Sequence, residues 1–473
     1  MKPALLFLLM AGLGGCAIGP DYERPPIPLP RHYAAAEAET PVSIRADWWA
    51  DFKDPVLTEL IHKALAQNAD LALATGRLAE AQGLAKEAGA AFLPEVTADA
   101  SVAKQHSSGK TQSALASGTP GTTYTSRKGT LSTSFELDVW GKLRRAYESA
   151  SAQIEATRYA RDSVRLSLEA LVCHAYFNLR SLDSQLTAQS NTVESREETL
   201  RLVKLRVEAG LSSPLETHQA ETALGAAQAQ RAILRQQRAA SESLLGLLVG
   251  EPGLSLRPST LLTLPIPPQP PAGLPSDILS ARPDVRQAEA TLIAANARIG
   301  VAKAAYFPKL SLTGYLGSES RELEDLFRAG AGIWSTGLAL AVPVFDFGKT
   351  SARVDQATAQ QQQTLAAYRK TVQTAFKEVN DALVGLRETR EAATAQENRH
   401  KGGTQALEIA RKRYAAGSIG YLEFLDAQRS ANEAELAWLS GRQNQLGATV
   451  DLFKTLGGGW KPLIEPETTT QTP

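Results

Sequence analysis

The chain has 473 residues, enough for two or three domains, and its 50 Lys and Arg residues are balanced by 50 Asp and Glu residues. This balance gives no support to a nucleic-acid-binding function. After the first fifteen residues no apolar run is long enough for a transmembrane helix, so the chain could cross a membrane only with β-strands.

The N-terminus carries the pattern of an export signal. Lys2 precedes an apolar stretch from Ala4 to Leu13, and small residues then lead to Cys16. This pattern resembles a bacterial lipobox, in which the cysteine thiol receives a diacylglycerol and becomes the mature N-terminus. We therefore expect a signal peptide at residues 1–15 and a covalent lipid on Cys16, with no other cofactor. The alternative is a plain secretory signal with an incidental cysteine. The second cysteine, Cys173, lies among apolar residues and is predicted to be a packing residue.

Residues 16–54 are predicted to form a lipid-anchored extended segment. Helical spacing of apolar residues predicts a helix from Pro55 to Ala91, which ends before Pro94. Two strands with alternating apolar residues follow, at Val96–Val102 and Leu131–Val139, within a hairpin at residues 94–140. Their other face is polar and carries Thr97, Asp99, Ser132, Ser134, Glu136 and Asp138.

A proline-free stretch from Lys142 to about Ala209 predicts a helix of roughly 100 Å, too long to lie inside a compact domain. We therefore expect a coiled coil, in which Val193, Leu200 and Val207 recur every seven residues. Gly210 suits the left-handed residue that ends such a helix, and a returning helix follows to about Val249.

The chain then repeats itself. A shift of 207 residues brings Gly141 onto Gly348 and Gly210 onto Gly417, and a slightly larger shift brings Pro94 onto Pro308. The first repeat is assigned to residues 55–250 and the second to residues 283–457. A Pro-rich connector at 251–282 joins them, and a polar tail at 458–473 ends the chain.

The second repeat has the same order of elements as the first. It is predicted to contain a helix from Pro283 to Ala305, a hairpin at 308–347, a long helix from Lys349 to Ala416 and a returning helix to Leu456. The apolar face of its last strand is expected to carry Trp334, Thr336, Leu338, Leu340, Val342 and Val344.

Four strands are too few to close a barrel in a membrane, where unpaired backbone groups at an open edge cost several kcal/mol each. Two copies would give a barrel of eight strands, whose interior is filled by side chains. Three copies would give a barrel of twelve strands, which leaves a lumen. The predicted fold is therefore mainly α with membrane β: an internally duplicated chain that forms a homotrimer with twelve membrane strands, from which the long helices extend the tube into the periplasm.

Several motifs resemble one family in combination. They are Cys16-Ala17-Ile18-Gly19-Pro20-Asp21-Tyr22, Trp48-Trp49 with Asp54-Pro55, and Arg282-Pro283-Asp284-Val285-Arg286. The chain is similar to the outer membrane factor family, the TolC/OprM group with its NodT-like lipoprotein branch. The resemblance implies a homotrimer in which a twelve-stranded β-barrel is continued by a twelve-helix periplasmic α-barrel. It also implies a passive outer-membrane channel of a tripartite efflux system. Small molecules would pass from an inner-membrane RND-type pump, through a periplasmic adaptor, to the cell exterior.

The resemblance also suggests the working residues. The turns at the ends of the long helices would be the periplasmic tips that contact the adaptor, through Arg206, Gly210, Leu211, Ser212, Arg413, Gly417 and Ser418. Glu423 and Asp426 would form an acidic ring at the periplasmic gate, with Tyr414 helping to close it. Alternatively, the glycines only close the turns, the two carboxylates are solvated helix charges, and Tyr414 simply packs.

Two other functions stay open from the sequence. One is the outlet of a type I protein secretion system, and the other is a coiled-coil scaffold lipoprotein that does not span the membrane. An enzyme is not predicted. The six histidines lack metal-ligand spacing, and no phosphate-binding loop or nucleophile-elbow motif occurs.

Overall fold

The structure is a computed structural model, and it describes residues 17–30, 33, 44–108, 110–111, 121–267 and 277–460. The predicted signal peptide, Cys16, the middle of the Pro-rich connector and most of the polar tail lie outside these residues. The chain forms two compact units. The strand unit comprises residues up to Pro26, Arg77–Thr157 and Ala288–Tyr368, and the helical unit comprises the rest. Each unit contains residues from both sequence repeats.

The helices that precede the strands are α1 (Pro55–Gln67), α2 (Ala69–Ala90), the short α5 (Ile278–Ala281) and α6 (Pro283–Ala304). The prediction of one continuous helix from Pro55 to Ala91 is wrong, because Asn68 separates α1 from α2. Asn68 has an extended backbone, and its Oδ1 accepts hydrogen bonds from the amides of Asp70 and Leu71 at 2.9 and 3.0 Å. An asparagine that caps in this way starts a new helix.

Four strands form one antiparallel sheet in the order β1-β2-β3-β4. They are β1 (Glu95–His106), β2 (Thr123–Leu137), β3 (Lys309–Ser320) and β4 (Gly332–Ala341). Directly opposite residues share a face, so the register defines an apolar face and a polar face. The apolar face carries Val96, Val102, Leu131, Phe135, Leu312, Leu316, Trp334, Leu338 and Leu340, and the polar face carries Thr97, Asp99, Ser132, Ser134 and Glu136.

Two strands are shorter at one end than predicted. β4 stops at Ala341, so Val342 and Val344 lie beyond it. Pro343 has no N–H for a strand ladder, which explains this end. β2 stops at Leu137, and Asp138 leaves the strand face to bind the next helix. Its two carboxylate oxygens each accept a hydrogen bond at 2.9 Å, from the amides of Leu143 and Arg144.

The long helices are α3 (Lys142–Glu208) and α7 (Lys349–Ala415), and their returning partners are α4 (Pro214–Val249) and α8 (Tyr421–Thr455). The predicted long helices are therefore confirmed. On α7 Val372, Val379, Leu383 and Leu386 follow one another at intervals of seven, four and three residues, as on one face of a coiled-coil helix, and all four are buried. Among the helices of the described residues, none combines the length and the apolar character needed to cross a membrane.

The helical unit has an aromatic core. Trp48 is fully buried and stacks on Phe453 with ring centroids 5.3 Å apart, and Phe52 packs on Phe177 at 4.9 Å. Asp54 caps α1 by accepting hydrogen bonds from two backbone amides. Cys173 is fully buried in this core, and burial raises the pKa of its thiol well above the usual value. The predicted packing role of Cys173 is thus confirmed.

The segment that follows Cys16 is docked within the strand unit. Arg24 makes a bidentate ion pair with the buried Glu289 of α6, at 2.6 and 2.8 Å. Asp21 accepts from Arg145 of α3 at 2.6 Å, and the amide of Ile18 donates to the carbonyl of Trp140 at 3.1 Å. The chain just after the predicted lipid site therefore lies at the end of β2.

Candidate functional site

The two turns between long and returning helices have the same backbone geometry. Gly210 and Gly417 have φ angles of 71° and 72°, in the left-handed region that favours glycine. In both turns the residue after the glycine donates its backbone N–H to a carbonyl of the preceding helix. The amide of Leu211 donates to the carbonyl of Arg206, and that of Ser418 to the carbonyl of Arg413, both at 2.8 Å. This is a Schellman end, and its left-handed glycine is the helix-ending residue that the sequence predicted.

The two returning helices start differently. Pro214 is the first residue of α4, and the hydroxyl of Ser213 accepts from the amide of Leu215 at 3.2 Å. At the start of α8 the capping position is Gly420, which has no side chain to accept a hydrogen bond. The first turn is therefore the better capped of the two.

The predicted tip residues are mostly exposed. Leu211 is 71 % exposed, and Gly210, Arg413, Gly417 and Ser418 are also exposed. Arg206 and Ser212 are partly buried because both contact side chains of the neighbouring helices. Two more leucines, Leu215 and Leu422, are 63 % and 65 % exposed at the starts of α4 and α8.

An aromatic cluster lies behind the turns. Tyr414, the last aromatic residue of α7, stacks on Phe424 of α8 with centroids 5.0 Å apart and planes within 4°. Tyr421 and Phe424 are buried beside Val203 of α3 and Ala220 of α4. Burial raises the pKa of Tyr421 to about 12. The ends of both helical hairpins thus share one small core.

Tyr414 also makes a polar contact between the two hairpins. Its hydroxyl donates to Glu216 of α4 at 3.5 Å, and Glu216 accepts a second hydrogen bond from the hydroxyl of Ser212. The guanidinium of Arg206 lies 5.0 Å from the centre of the Tyr414 ring, a cation–π distance. Burial first, and then the Glu216 carboxylate, raises the pKa of Tyr414. Tyr414 therefore both packs and links the two hairpins.

The two carboxylates predicted for the gate do not touch Tyr414 in the chain. Glu423 and Asp426 lie on the exposed face of α8, and Asp426 pairs with Arg429 at 2.8 Å. Neither the ion pair of Arg429 nor the role of Glu216 as acceptor was predicted from the sequence. Arg429 could have been found from its spacing of three residues after Asp426 on a helix. Glu216 had no comparable signal, because its partner is far away in the sequence.

A groove of about 540 Å³ runs beside these residues, between the starts of α4 and α8. Its walls include Leu215, Leu422, Asp426 and Arg429. At its side, Arg196 is half-buried, and burial lowers the pKa of its guanidinium. Arg196 donates to the carbonyl of Ala223 at 2.8 Å. Across the part of the chain that the structure describes, no three His, Cys, Asp or Glu side chains are grouped as metal ligands would be.

The fold and this site define a class of protein: duplicated chains in which a small antiparallel sheet joins long helical hairpins. The sequence profile described as "Outer membrane efflux protein" matches residues 60–251 and 274–458. The chain therefore belongs to the outer membrane efflux protein family.

Named relatives agree along almost the whole chain. It is 34 % identical over 482 residues to the toluene efflux pump outer membrane protein TtgF of Pseudomonas putida, covering 99 % of each chain. It is 32 % identical over 473 residues to the cation efflux system protein CusC of Escherichia coli O6:H1, covering 98 % of this chain and 100 % of that one. The crystal structure of the Campylobacter jejuni CmeC outer membrane channel matches with a TM-score of 0.88 and 26 % identity, over 95 % of this chain and 96 % of that one.

These findings confirm the predicted family, location and general function. The chain is an outer-membrane channel component of an efflux system, with a periplasmic helical extension. The relatives named here are efflux proteins, so they support neither the protein-secretion outlet nor the non-spanning scaffold.

Proposed function

We propose that three copies of this chain form one passive channel through the outer membrane. The observation that carries the proposal is the four-stranded sheet, whose outer strands β1 and β4 each have one edge without a strand partner among the described residues. Its apolar face is exposed: Val102, Leu338 and Trp334 are 70 %, 66 % and 76 % exposed. Lipid would cover this face, and neighbouring copies would pair the edges. Three copies supply twelve strands, enough to surround a water-filled lumen lined by the polar face.

The channel would be anchored by lipid on Cys16. The docked segment after it supports this proposal, because Ala17 and Ile18 lie beside Trp140 at the end of β2. Trp140 stacks on Phe307 with centroids 4.9 Å apart, and aromatic residues are enriched where membrane strands meet water. Acyl chains attached to Cys16 would thus start close to the membrane surface, and two or more chains would give stable anchoring.

The periplasmic gate would be formed by Tyr414, Glu423 and Asp426, with Glu216 as the acceptor for Tyr414. In a trimer, Glu423 and Asp426 would contribute six carboxylates near the threefold axis. Clustered like charges repel one another and attract cations, so such a ring would favour cation binding at the opening. The contact between Tyr414 and Glu216 would hold the two hairpins together in the closed state. Opening would require that contact to break.

The turns would contact the periplasmic adaptor through Arg206, Gly210, Leu211, Ser212, Arg413, Gly417 and Ser418. The exposed Leu211 and the two arginines offer an apolar and basic surface. The adaptor would connect the channel to an inner-membrane RND-type pump, which supplies the energy, so the channel itself needs no catalytic residue. Toluene and cations are the cargo named for two relatives, and we propose small toxic compounds or metal ions as the cargo here.

The channel proposal is tested on protein purified from outer membranes. We expect a trimer that dissociates only on heating in detergent, and ion conductance after insertion into planar bilayers. Labelling with radioactive palmitate should mark the wild-type chain and not Cys16→Ser. A monomeric protein, or a trimer without conductance, would contradict the channel. Absence of label on the wild type would contradict the lipid anchor alone.

A further inference from the structure

The order of elements along the chain shows which end of each strand faces the cell exterior. β2 is followed by α3, which starts at Lys142, and β4 is followed by α7. These helices belong to the periplasmic extension, so the Leu137 end of β2 faces the periplasm and its Thr123 end faces the exterior. β1 and β3 run in the opposite direction and reach the exterior side at His106 and Ser320.

The apolar face of the sheet changes character at its exterior end. Arg127 of β2 belongs to this face because it lies opposite Val102, and Lys104 of β1 belongs to it because it follows Val102 by two residues. Lys104 itself lies opposite Thr125. Arg127 and Lys104 are therefore diagonal neighbours on adjacent strands, with Cα atoms roughly 7–8 Å apart. We call these two residues the outer basic pair.

The outer basic pair lies at the height where a hydrocarbon layer would end. The stretch of β2 from Leu137 to Arg127 measures about 33 Å along the strand. Strands of membrane barrels are tilted by about 40°, so this stretch corresponds to a height of about 25 Å, which is the height of the apolar band in such proteins. Arg127 is therefore at the outer boundary of that band, and Lys104 is at the level of the lipid headgroups.

No carboxylate neutralises the pair on its own face. Among the strand residues of the apolar face, all of which the structure describes, none is acidic. Glu319 of β3 belongs to the polar face, where it accepts a hydrogen bond from Ser126 at 2.7 Å. One Nη atom of Arg127 donates to the carbonyl of Arg321, which leaves other N–H groups of the guanidinium able to donate. Lys104 is exposed. The pair can therefore accept an anion.

The periplasmic end of the same face has no basic residue. Its strand residues there are Val96, Phe135, Leu137, Leu310 and Leu340. Charges that only kept the ends of the strands in water would be expected at both ends. The restriction of positive charge to the exterior end instead indicates a partner that is present on the exterior side of the membrane.

We propose that the outer basic pair binds a phosphate group of a phosphorylated glycolipid, of the lipopolysaccharide type, in the outer leaflet of the outer membrane. The inference rests on the proposed channel, in which this face meets lipid. The guanidinium of Arg127 offers paired donors that match phosphate oxygens, and the ammonium of Lys104 adds a second positive charge. The acyl chains of the same lipid cover the apolar residues below the pair.

A phospholipid is the alternative ligand, because its headgroup offers the same phosphate chemistry. In the outer membrane of Gram-negative bacteria, phospholipids form the inner leaflet and glycolipid forms the outer one. The inner leaflet meets the end of the face that has no basic residue. The location of the outer basic pair therefore favours the glycolipid.

The test measures binding of purified lipopolysaccharide to the detergent-purified trimer by native mass spectrometry. A basic residue near an anionic lipid surface strengthens binding about fivefold, so Lys104→Gln and Arg127→Gln should each weaken binding about fivefold and the double variant roughly 30-fold. Lipopolysaccharide from which a phosphatase has removed the phosphate groups should bind the wild type about as weakly as the intact lipid binds the double variant.

Lys128→Gln is the matched control. Lys128 is next to Arg127 in β2 and has the same charge and the same height, but it belongs to the polar face, where its ammonium lies 4.8 Å from the centre of the Tyr315 ring. This variant should bind the lipid as the wild type does. If Lys128→Gln weakens binding as much as Arg127→Gln, the lipid responds to total charge, and the assigned site is refuted.

A charge-conserving variant guards against damage to the fold. Lys104→Arg combined with Arg127→Lys keeps both positive charges and should keep most of the binding. A loss as large as that of the double glutamine variant would refute recognition by these two charges. All variants are compared as trimers that dissociate on heating at the wild-type temperature. Lys104→Gln keeps the test decisive if the substitutions at Arg127 disturb the strand end, because the Lys104 side chain is exposed.

The remaining outcomes separate this site from the channel. A conducting trimer that binds intact and dephosphorylated lipopolysaccharide equally would overturn the phosphate site and leave the channel standing. Equal affinity for phosphatidylglycerol and lipopolysaccharide would overturn the choice of the outer-leaflet glycolipid. A wild-type protein that is monomeric or does not conduct would overturn the proposed channel, and the lipid site with it.

Discussion

The link between Tyr414 and Glu216 makes the sharpest prediction about gating. Tyr414→Phe keeps the ring stack on Phe424 and removes only the hydroxyl that donates to Glu216. A hydrogen bond to a charged group contributes about 1.5–3 kcal/mol. At 3.5 Å and with partial exposure this one is weak, and we assign it about 0.5–1 kcal/mol per copy. If three copies open together, the total of about 1.5–3 kcal/mol raises the open-to-closed ratio roughly 10- to 100-fold.

The assay is the open probability of single channels in planar bilayers at neutral pH. Tyr421→Phe is the matched control, because Tyr421 belongs to the same aromatic cluster but its hydroxyl makes no hydrogen bond to Glu216 within the described residues. The open probability of Glu216→Gln should lie between those of the two tyrosine variants, because the amide oxygen still accepts a hydrogen bond but carries no charge. The gating role of the link is refuted if Tyr414→Phe opens no more often than Tyr421→Phe.

The link also has a defined pH range. Because the pKa of Tyr414 is raised above its usual value of 10.0, the neutral hydroxyl is the form favoured by the closed contact. The stabilisation is complete below pH 10 and is lost as the pH rises through the raised pKa. Open probability should therefore not change with ionisation of this group near neutral pH, and should increase in alkaline solution in the wild type but not in Tyr414→Phe.

Three further predictions concern the gate, a turn and the core. Glu423→Gln should weaken cation block of the conductance, whereas Glu433→Gln, further along α8, should not; equal block in both would exclude the acidic ring. Gly417→Ala should lower stability by about 1 kcal/mol through its left-handed backbone, while Gly402→Ala inside α7 should raise it by about 0.5–1 kcal/mol. Thermal melts that shift the same way for both glycines would contradict this. Trp48→Ala should cost about 3–5 kcal/mol, seen as a lower melting temperature of the helical signal, because the side chain is fully buried; an unchanged melt would show that this core is not needed.

Local patterns in the sequence determined the elements of the fold. Alternating residues marked the strands, the absence of proline marked the two long helices, and Gly210 and Gly417 marked their ends. These features depend on neighbours in the chain, so they can be read from spacing. Where a local signal was overlooked, the prediction failed locally. Asn68 is a good helix cap, yet α1 and α2 were predicted as one helix, and Pro343 had already ruled out a strand as far as Val344.

Only the tertiary structure decided which side chains meet. Tyr414 and Glu216 are 198 residues apart in the chain, and no periodicity relates them. The sequence instead grouped Tyr414 with Glu423 and Asp426, which are close in the sequence and lie on the exposed face of α8. A contact between distant segments depends on how helices pack, and packing follows from the shapes of whole surfaces.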